Sequence, residues 1–310
     1  MYTLSDYGGM IADSVRMDAY AYALKAAVGP ETVVLDIGAA AGIHALLASK
    51  FGARRVYAVE SNEAIHLAKE LAKANGFADR IEFIQDLSTN ITLPEPADVI
   101  VSDLRGVLPL FGLHIPSIID ARQRHLAPGG RLIPMRDALW ASLVEAPSVY
   151  KEIVKPWDYP YGLNMEAAKK EVLNSWSRDN TEDFRLSHLL TDPNRWAVLD
   201  YGSINDPDVS ANMTQQATRD GTAHGLLIWF DAELTEGVGF SNAPHAARIA
   251  DVYGRGFFPL QEPVPIAKGD IIDLAIGAEL LDDHYRWRWR TCIRSRDDAS
   301  LVKVDFEQSA

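Results

Sequence analysis

The spacing of hydrophobic positions changes several times along the first 135 residues. Met10, Val15, Tyr20, Leu24 and Val28 recur at helical intervals, so residues 10–28 are expected to form one helix, ended by Gly29-Pro30. An unbroken apolar run, Thr32 to Ile37, reads as a buried strand. The small residues Gly38 to Gly42 follow, then a helical stretch closed by Gly52. The alternation continues with strand 55–59, helix 62–75, strands 81–84 and 97–101, and helix 114–126. The turn Pro128-Gly129-Gly130 then leads into strand 131–134. Strands alternating with helices imply a parallel sheet covered on both faces, joined by right-handed crossovers.

Beyond residue 138 the period falls to two. Leu139–Glu145, Gly225–Leu234, Ile271–Ile276 and Arg286–Ile293 alternate apolar with polar residues between frequent turn signals, the pattern of an antiparallel barrel or sandwich. In the last of these, Arg286, Arg288 and Arg290 alternate with Trp287, Trp289 and Thr291, which gives one charged face and one core face. A charged helical segment at 164–190 interrupts the strands. The expected fold class is α/β + β. A Rossmann-like doubly wound sheet spans 1–136, and an antiparallel β-barrel spans 137–310 with a helical arm near 164–190.

Composition adds mainly exclusions. The net charge is −13, and no Lys/Arg cluster offers a counterion-displacing surface, so no nucleic-acid partner is expected. An acidic chain attracts basic partners instead. A single cysteine, Cys292, allows neither an internal disulfide nor a thiolate zinc site, and suits a reducing compartment. The N-terminus lacks a signal-peptide pattern and no apolar run reaches membrane length, so a cytoplasmic protein without membrane contact is expected.

The chemistry centres on Val33–His44. Asp36 ends the strand, and Gly38, Ala40 and Gly42 form a small-residue turn into a helix N-terminus, where backbone can approach a ligand and N–H groups are free. The turn alone fits an unliganded strand–helix junction equally well. Glu60, 18 residues past Gly42 and followed by Ser61, stands where an acid accepts hydrogen bonds from ribose hydroxyls. Asp86-Leu87 occupies the next strand end, beside an adenine edge, and Ser102-Asp103 the one after. Acids at successive strand ends place a nucleoside site at the carboxyl edge of the sheet. The G-A-A-A-G spacing departs from the dinucleotide pattern G-x-G-x-x-G and fits S-adenosylmethionine, with S-adenosylhomocysteine as product.

With these residues in place, the chain resembles the protein arginine methyltransferases. Tyr7, Met10, Asp13, Val15, Arg16 and Tyr20 match the family's N-terminal helix. Val34–Gly38 with Gly42-Ile43, Gly52–Val56 with Glu60, and Ser102-Asp103 with Gly106 follow in order. Ala121-Arg122, Leu126–Gly130, Pro134, Trp157, Tyr161-Gly162, Met165, Phe240-Ser241, Pro244 and Lys268-Gly269 complete the series. The resemblance implies that Arg16 grips the donor's carboxylate, that Glu60 holds its ribose, and that the arm docks on a second subunit to make a homodimer.

The acceptor side departs from the family. Of two glutamates that hold the substrate guanidinium there, the first falls on Asp103 and the second on or near Gly112. The Thr-His-Trp loop falls on Asp251-Val252-Tyr253, and a methionine beside the substrate is replaced by Arg105. Ala39 and Ala41 replace polar residues of the glycine loop. Three readings stay open. The chain methylates arginine with Asp103 and either Asp251 or Glu145 as the acid pair. Alternatively, it methylates another nitrogen or oxygen on a small molecule, peptide or protein, with Arg105 holding an anionic group and His114 or Asp103 as general base. In the third reading, it binds the donor without turnover. His44, His125 and His224 read as packing or surface residues, and no group of residues has metal-ligand spacing.

Overall fold

A computed structural model describes residues 3–179, 184–298 and 300–310. The N-terminal apolar periodicity forms two helices rather than one: α1 Leu4–Ala12 and α2 Ser14–Ala27. The break comes at Asp13, whose carboxylate caps α2 by accepting the Arg16 N–H at 3.1 Å. This places Arg16 in the first turn of α2, where its side chain turns inward.

Next come β1 Val33–Ile37, α3 Ile43–Lys50, β2 Arg55–Val59, α4 Ala64–Ala74, β3 Ile81–Ile84, β4 Ala97–Ser102, α5 His114–Arg124 and β5 Leu126–Ile133. The five strands form one parallel sheet in the order β3-β2-β1-β4-β5. All five residues of β1 are buried, as expected of a central strand covered on both faces. Ile37 pairs with Val59 on one side and Ser102 on the other. The residues that follow these three strand ends, Gly38, Glu60 and Asp103, are thereby brought to one rim.

The C-terminal half contains β6 Arg136–Val144, α6 Pro147–Val154, α7 Glu166–Leu173, β7 Ser177–Asp179, β8 Asn194–Asp200, β9 Val209–Gln216, β10 Gly221–Thr235, β11 Val238–Ser241, β12 Arg255–Ile266, β13 Ile271–Leu281, β14 His284–Arg294 and β15 Val302–Ser309. Among the described residues they form two antiparallel sheets rather than one closed ring. One sheet runs β7-β12-β10-β6-β8 with β11 on β10, the other β15-β14-β13-β9. Trp287 and Trp289 are buried between the sheets against Phe258. On the solvent face of β14, Arg286, Arg290 and Arg294 pair with Glu279, Asp305 and Asp273.

The helical excursion overlaps residues 164–190 at α7 but begins earlier. It occupies α6 and α7, 147–173, starting where Pro147 suits the first helical turn. Of the expected range, 177–179 is strand and 180–183 lie outside the described residues. No described helix is long and apolar enough to cross a membrane.

Candidate active site

The glycine loop is shaped by backbone. Gly38, Ala40 and Gly42 all have positive φ, 70°, 48° and 83°. A Cβ at Gly38 would lie 2.3 Å from the Leu104 side chain, and one at Gly42 would lie 2.9 Å from Ala68 Cβ. Glycine is therefore required at both positions for space as well as conformation. Glu60 fastens the loop: its Oε2 accepts from the Ala40 N–H at 2.9 Å and its Oε1 from the Asn62 N–H at 3.0 Å. Each oxygen keeps a lone pair. Together with Tyr7, Met10, Arg16, His44, Asp103 and Arg105, these residues line one cleft under α1.

Asp36 lies behind the loop. Its Oδ2 accepts from the Ala45 N–H at 2.9 Å, holding the start of α3, while Oδ1 accepts no hydrogen bond and faces His44 Nδ1 at 3.9 Å. Burial raises its pKa to about 7. A carboxyl raised in the folded state adds stability that is complete below the unfolded value near 4 and is lost as pH rises through about 7. Asp36→Asn is expected to remove this slope, on the order of 4 kcal/mol between those limits. Denaturant unfolding of both proteins from pH 4 to 8 checks it, and parallel stability curves would refute it.

The acceptor side of the cleft is a closed ionic network. Asp103 receives four contacts. Arg16 Nε and Nη2 reach Oδ2 at 2.7 and 2.6 Å, the Tyr253 hydroxyl donates to Oδ2 at 2.7 Å, and Arg105 Nε donates to Oδ1 at 3.2 Å. Burial opposes its ionisation, but Arg16 and Arg105 outweigh burial and hold the carboxyl well below the usual range. Arg105 Nη1 donates to Asp137 Oδ1 at 3.1 Å, and Nη2 donates to the Tyr20 hydroxyl. Burial raises Asp137 to about 6, with Arg105 limiting the rise, so it is an anion at neutral pH. The Tyr201 hydroxyl donates to Asp137 Oδ2 at 2.6 Å and accepts from His114 Nε2 at 2.9 Å. His114 Nδ1 therefore carries the lone pair and has no partner.

Two expectations are corrected here. Arg105 does not present a free cation for an anionic acceptor, because Asp103, just after β4, and Asp137, on β6, neutralise it from two sides. His114 does not face the cleft. It is buried beneath Tyr201, and burial and Arg105 push its pKa down to about 3.

Neither proposed second acid joins Asp103. Glu145 bonds Arg219 and the Thr222 N–H, eight residues along from Asp137 at β6, or about 26 Å. Asp251 is exposed. Ser102 is buried and its carbonyl accepts from the Tyr20 hydroxyl. Ser61, Asp86 and Leu87 are exposed, and Asp86 bonds its own turn at the Leu87 N–H and Asn90.

Four residues gain a place at the site that the sequence did not assign them: Tyr20, Asp137, Tyr201 and, on the cleft wall, His44. His44 is 5 % exposed and stacks on Tyr20 at 4.4 Å, with Nε2 unpartnered. Burial, then Arg16, pushes its pKa down to about 3, so it is neutral.

Residues 21–133 match the family described as ribosomal protein L11 methyltransferase (PrmA). The doubly wound sheet and glycine cradle agree with this match, and the class is that of an S-adenosylmethionine-dependent methyltransferase. Residues 136–286 match the arginine methyltransferase oligomerization subdomain. The chain is 30% identical over 272 residues to protein arginine N-methyltransferase 1.1 of Arabidopsis thaliana, covering 85% of this chain and 68% of that one. It is also 30% identical over 245 residues to protein arginine N-methyltransferase 1 of Schizosaccharomyces pombe, covering 76% and 71%. The chain belongs to the protein arginine N-methyltransferase family. The fold agrees with the Trypanosoma brucei PRMT1 enzyme–prozyme heterotetrameric complex with AdoHcy, at TM-score 0.85, 20% identity and coverage of 98% and 97%. Arabidopsis thaliana protein arginine methyltransferase 10 aligns with TM-score 0.83, 22% identity and coverage of 98% and 96%.

Proposed function

We propose that this chain transfers a methyl group from S-adenosylmethionine, held in the cleft under α1, to an acceptor that enters at the seam between a donor-binding domain, 1–136, and a barrel domain, 137–310. The carrying observation is the pairing of the glycine cradle with Glu60, whose two oxygens each retain a lone pair for a ribose hydroxyl. Arg16 Nη2 keeps one N–H beyond its bond to Asp103, available to the donor's carboxylate. When bound, the donor supplies a methyl already activated on sulfonium: the acceptor's lone pair takes it and the carbon–sulfur electron pair stays on sulfur. What remains for the protein is alignment, exclusion of water and, where the acceptor carries a proton, its release to solvent as the carbon–nitrogen or carbon–oxygen bond forms. Asp103 acts in this arrangement by holding Arg16, and not as a free base.

The same proposal makes the protein a cytoplasmic homodimer. The segment between α6 and α7 carries Tyr159, Tyr161 and Leu163, all exposed, with Tyr161 102% exposed. Tyr159 and Tyr161 take left-handed backbone at φ 47° and 55°, a conformation that costs a non-glycine residue. An aromatic loop held in this way suits docking on a second copy. Tyr161→Asp is expected to shift sedimentation from dimer to monomer, and an unchanged dimer would remove the loop from the contact.

Calorimetric titration with S-adenosylmethionine and S-adenosylhomocysteine tests the donor reading. Micromolar binding of both, one per chain, is expected. No heat from either in folded protein would overturn the reading.

A further inference from the structure

Beside the donor cleft the chain holds two carboxylates, Asp103 and Asp137, and two guanidinium groups, Arg16 and Arg105, and they pair one with another. Asp103 Oδ2 accepts from Arg16 and Tyr253, and its Oδ1 accepts from Arg105. The second oxygen of Asp137 accepts from Tyr201. Arg105 is 3% exposed and is also enclosed by rings. Its guanidinium carbon lies 5.3 Å from the Phe240 centroid, 5.7 Å from Phe230, 5.8 Å from Tyr253 and 6.0 Å from Tyr20. Carboxylates at the edge and aromatic faces around the plane are the surroundings that bind a guanidinium best.

We propose that Arg105 sets the acceptor specificity: its guanidinium fills a built cation cage beside the donor, so the acceptor is an uncharged nitrogen or oxygen nucleophile and not an arginine side chain. This rests on the donor reading above. An incoming guanidinium would meet two guanidinium groups already in place, and two carboxylates, Asp103 and Asp137, whose charge those groups already balance. Glu60, the cleft's other acid, stands at the end of β2 and is bonded to Ala40 and Asn62. Of the remaining walls, Met10, Ile11, Leu104 and Phe111 are apolar, Tyr7 and Asn62 are polar but carry no negative charge, and His44 is neutral. A cation buried there would lose its hydration without gaining a counterion. A neutral amine or hydroxyl incurs neither cost, and the unpartnered Nε2 of His44 can accept its hydrogen bond.

The test has two parts. Wild-type protein is incubated with S-adenosylmethionine and a glycine–arginine-rich peptide, and the peptide is read by mass spectrometry. No methylarginine is expected, and its formation overturns the proposal whether or not any variant folds. Arg105→Ala is then melted in low-millimolar guanidinium chloride, against equal sodium chloride and urea. A saturable rise in Tm is expected in the variant alone, because the added ion refills the cage. A variant that folds but responds as the wild type does overturns the proposal. Failure of S-adenosylhomocysteine to bind wild type would instead remove the donor reading, since the guanidinium rescue needs no donor.

Discussion

Asp103→Ala is expected to cost the folded protein about 3–5 kcal/mol, the loss typical when one partner of a buried ion pair is removed. Among the described residues, Asp103 is the one carboxylate that the Arg16 guanidinium touches, and it is one of two that touch Arg105. Without it, Arg16 keeps only the Met10 carbonyl, Met17 sulfur and Tyr253 hydroxyl, none of them charged at neutral pH. Both arginines are anchored in the packing of α2 and the seam, so neither can follow its charge to water. The pH dependence has a definite sign. The folded pKa of Asp103 is depressed, so its contribution is fully present above the unfolded value near pH 4 and is lost as pH falls through the depressed value. Urea denaturation at pH 7 should show a lower midpoint at unchanged slope. A loss under about 1 kcal/mol would mean that water reaches the network and screens it.

The rim that gathers Gly38, Glu60 and Asp103 was legible in the sequence because each of its parts is local. Gly38, Glu60 and Asp103 each follow a strand, and parallel neighbours bring strand ends to one rim. The acceptor half was not legible. Arg105 looked like a free cation because its counterion Asp137 lies 32 residues on, across a domain seam, and its hydroxyl partner Tyr20 lies 85 residues back. Tyr253 reaches Asp103 over 150 residues. No periodicity carries such pairings. His114 failed as a base for the same reason, since its fate depends on Tyr201, 87 residues away.

At the level of fold, the alternation of periods gave the parallel sheet and the antiparallel half. The helix expected over 10–28 breaks because Asp13 is a better cap than an interior residue. Its hydrophobic spacing continues across the break, so spacing alone could not show it. The charged stretch after 164 misplaced the arm for a related reason. The helices α6 and α7 are each only 8 residues long, about two turns, too short for their apolar spacing to stand out from the strands around them.

Glu60→Ala should weaken S-adenosylhomocysteine binding by about 100-fold or more, from the loss of two hydrogen bonds to a charged acceptor worth roughly 1.5–3 kcal/mol each. The residue acts twice. It offers lone pairs to the ligand, and it holds the loop in shape through the Ala40 N–H, on a residue that sits at φ 48° against its preference. Glu60→Gln separates the two roles. Its amide oxygen can still accept one backbone N–H, but its amino group cannot accept a hydroxyl, so binding should fall between wild type and alanine. Folding stability should fall less than ligand affinity in both variants, because Glu60 lies at the rim and not in the Asp103 network. If Glu60→Ala unfolds at lower urea yet binds as tightly as wild type, Glu60 is only a loop brace, and the donor's ribose is held elsewhere in the cleft.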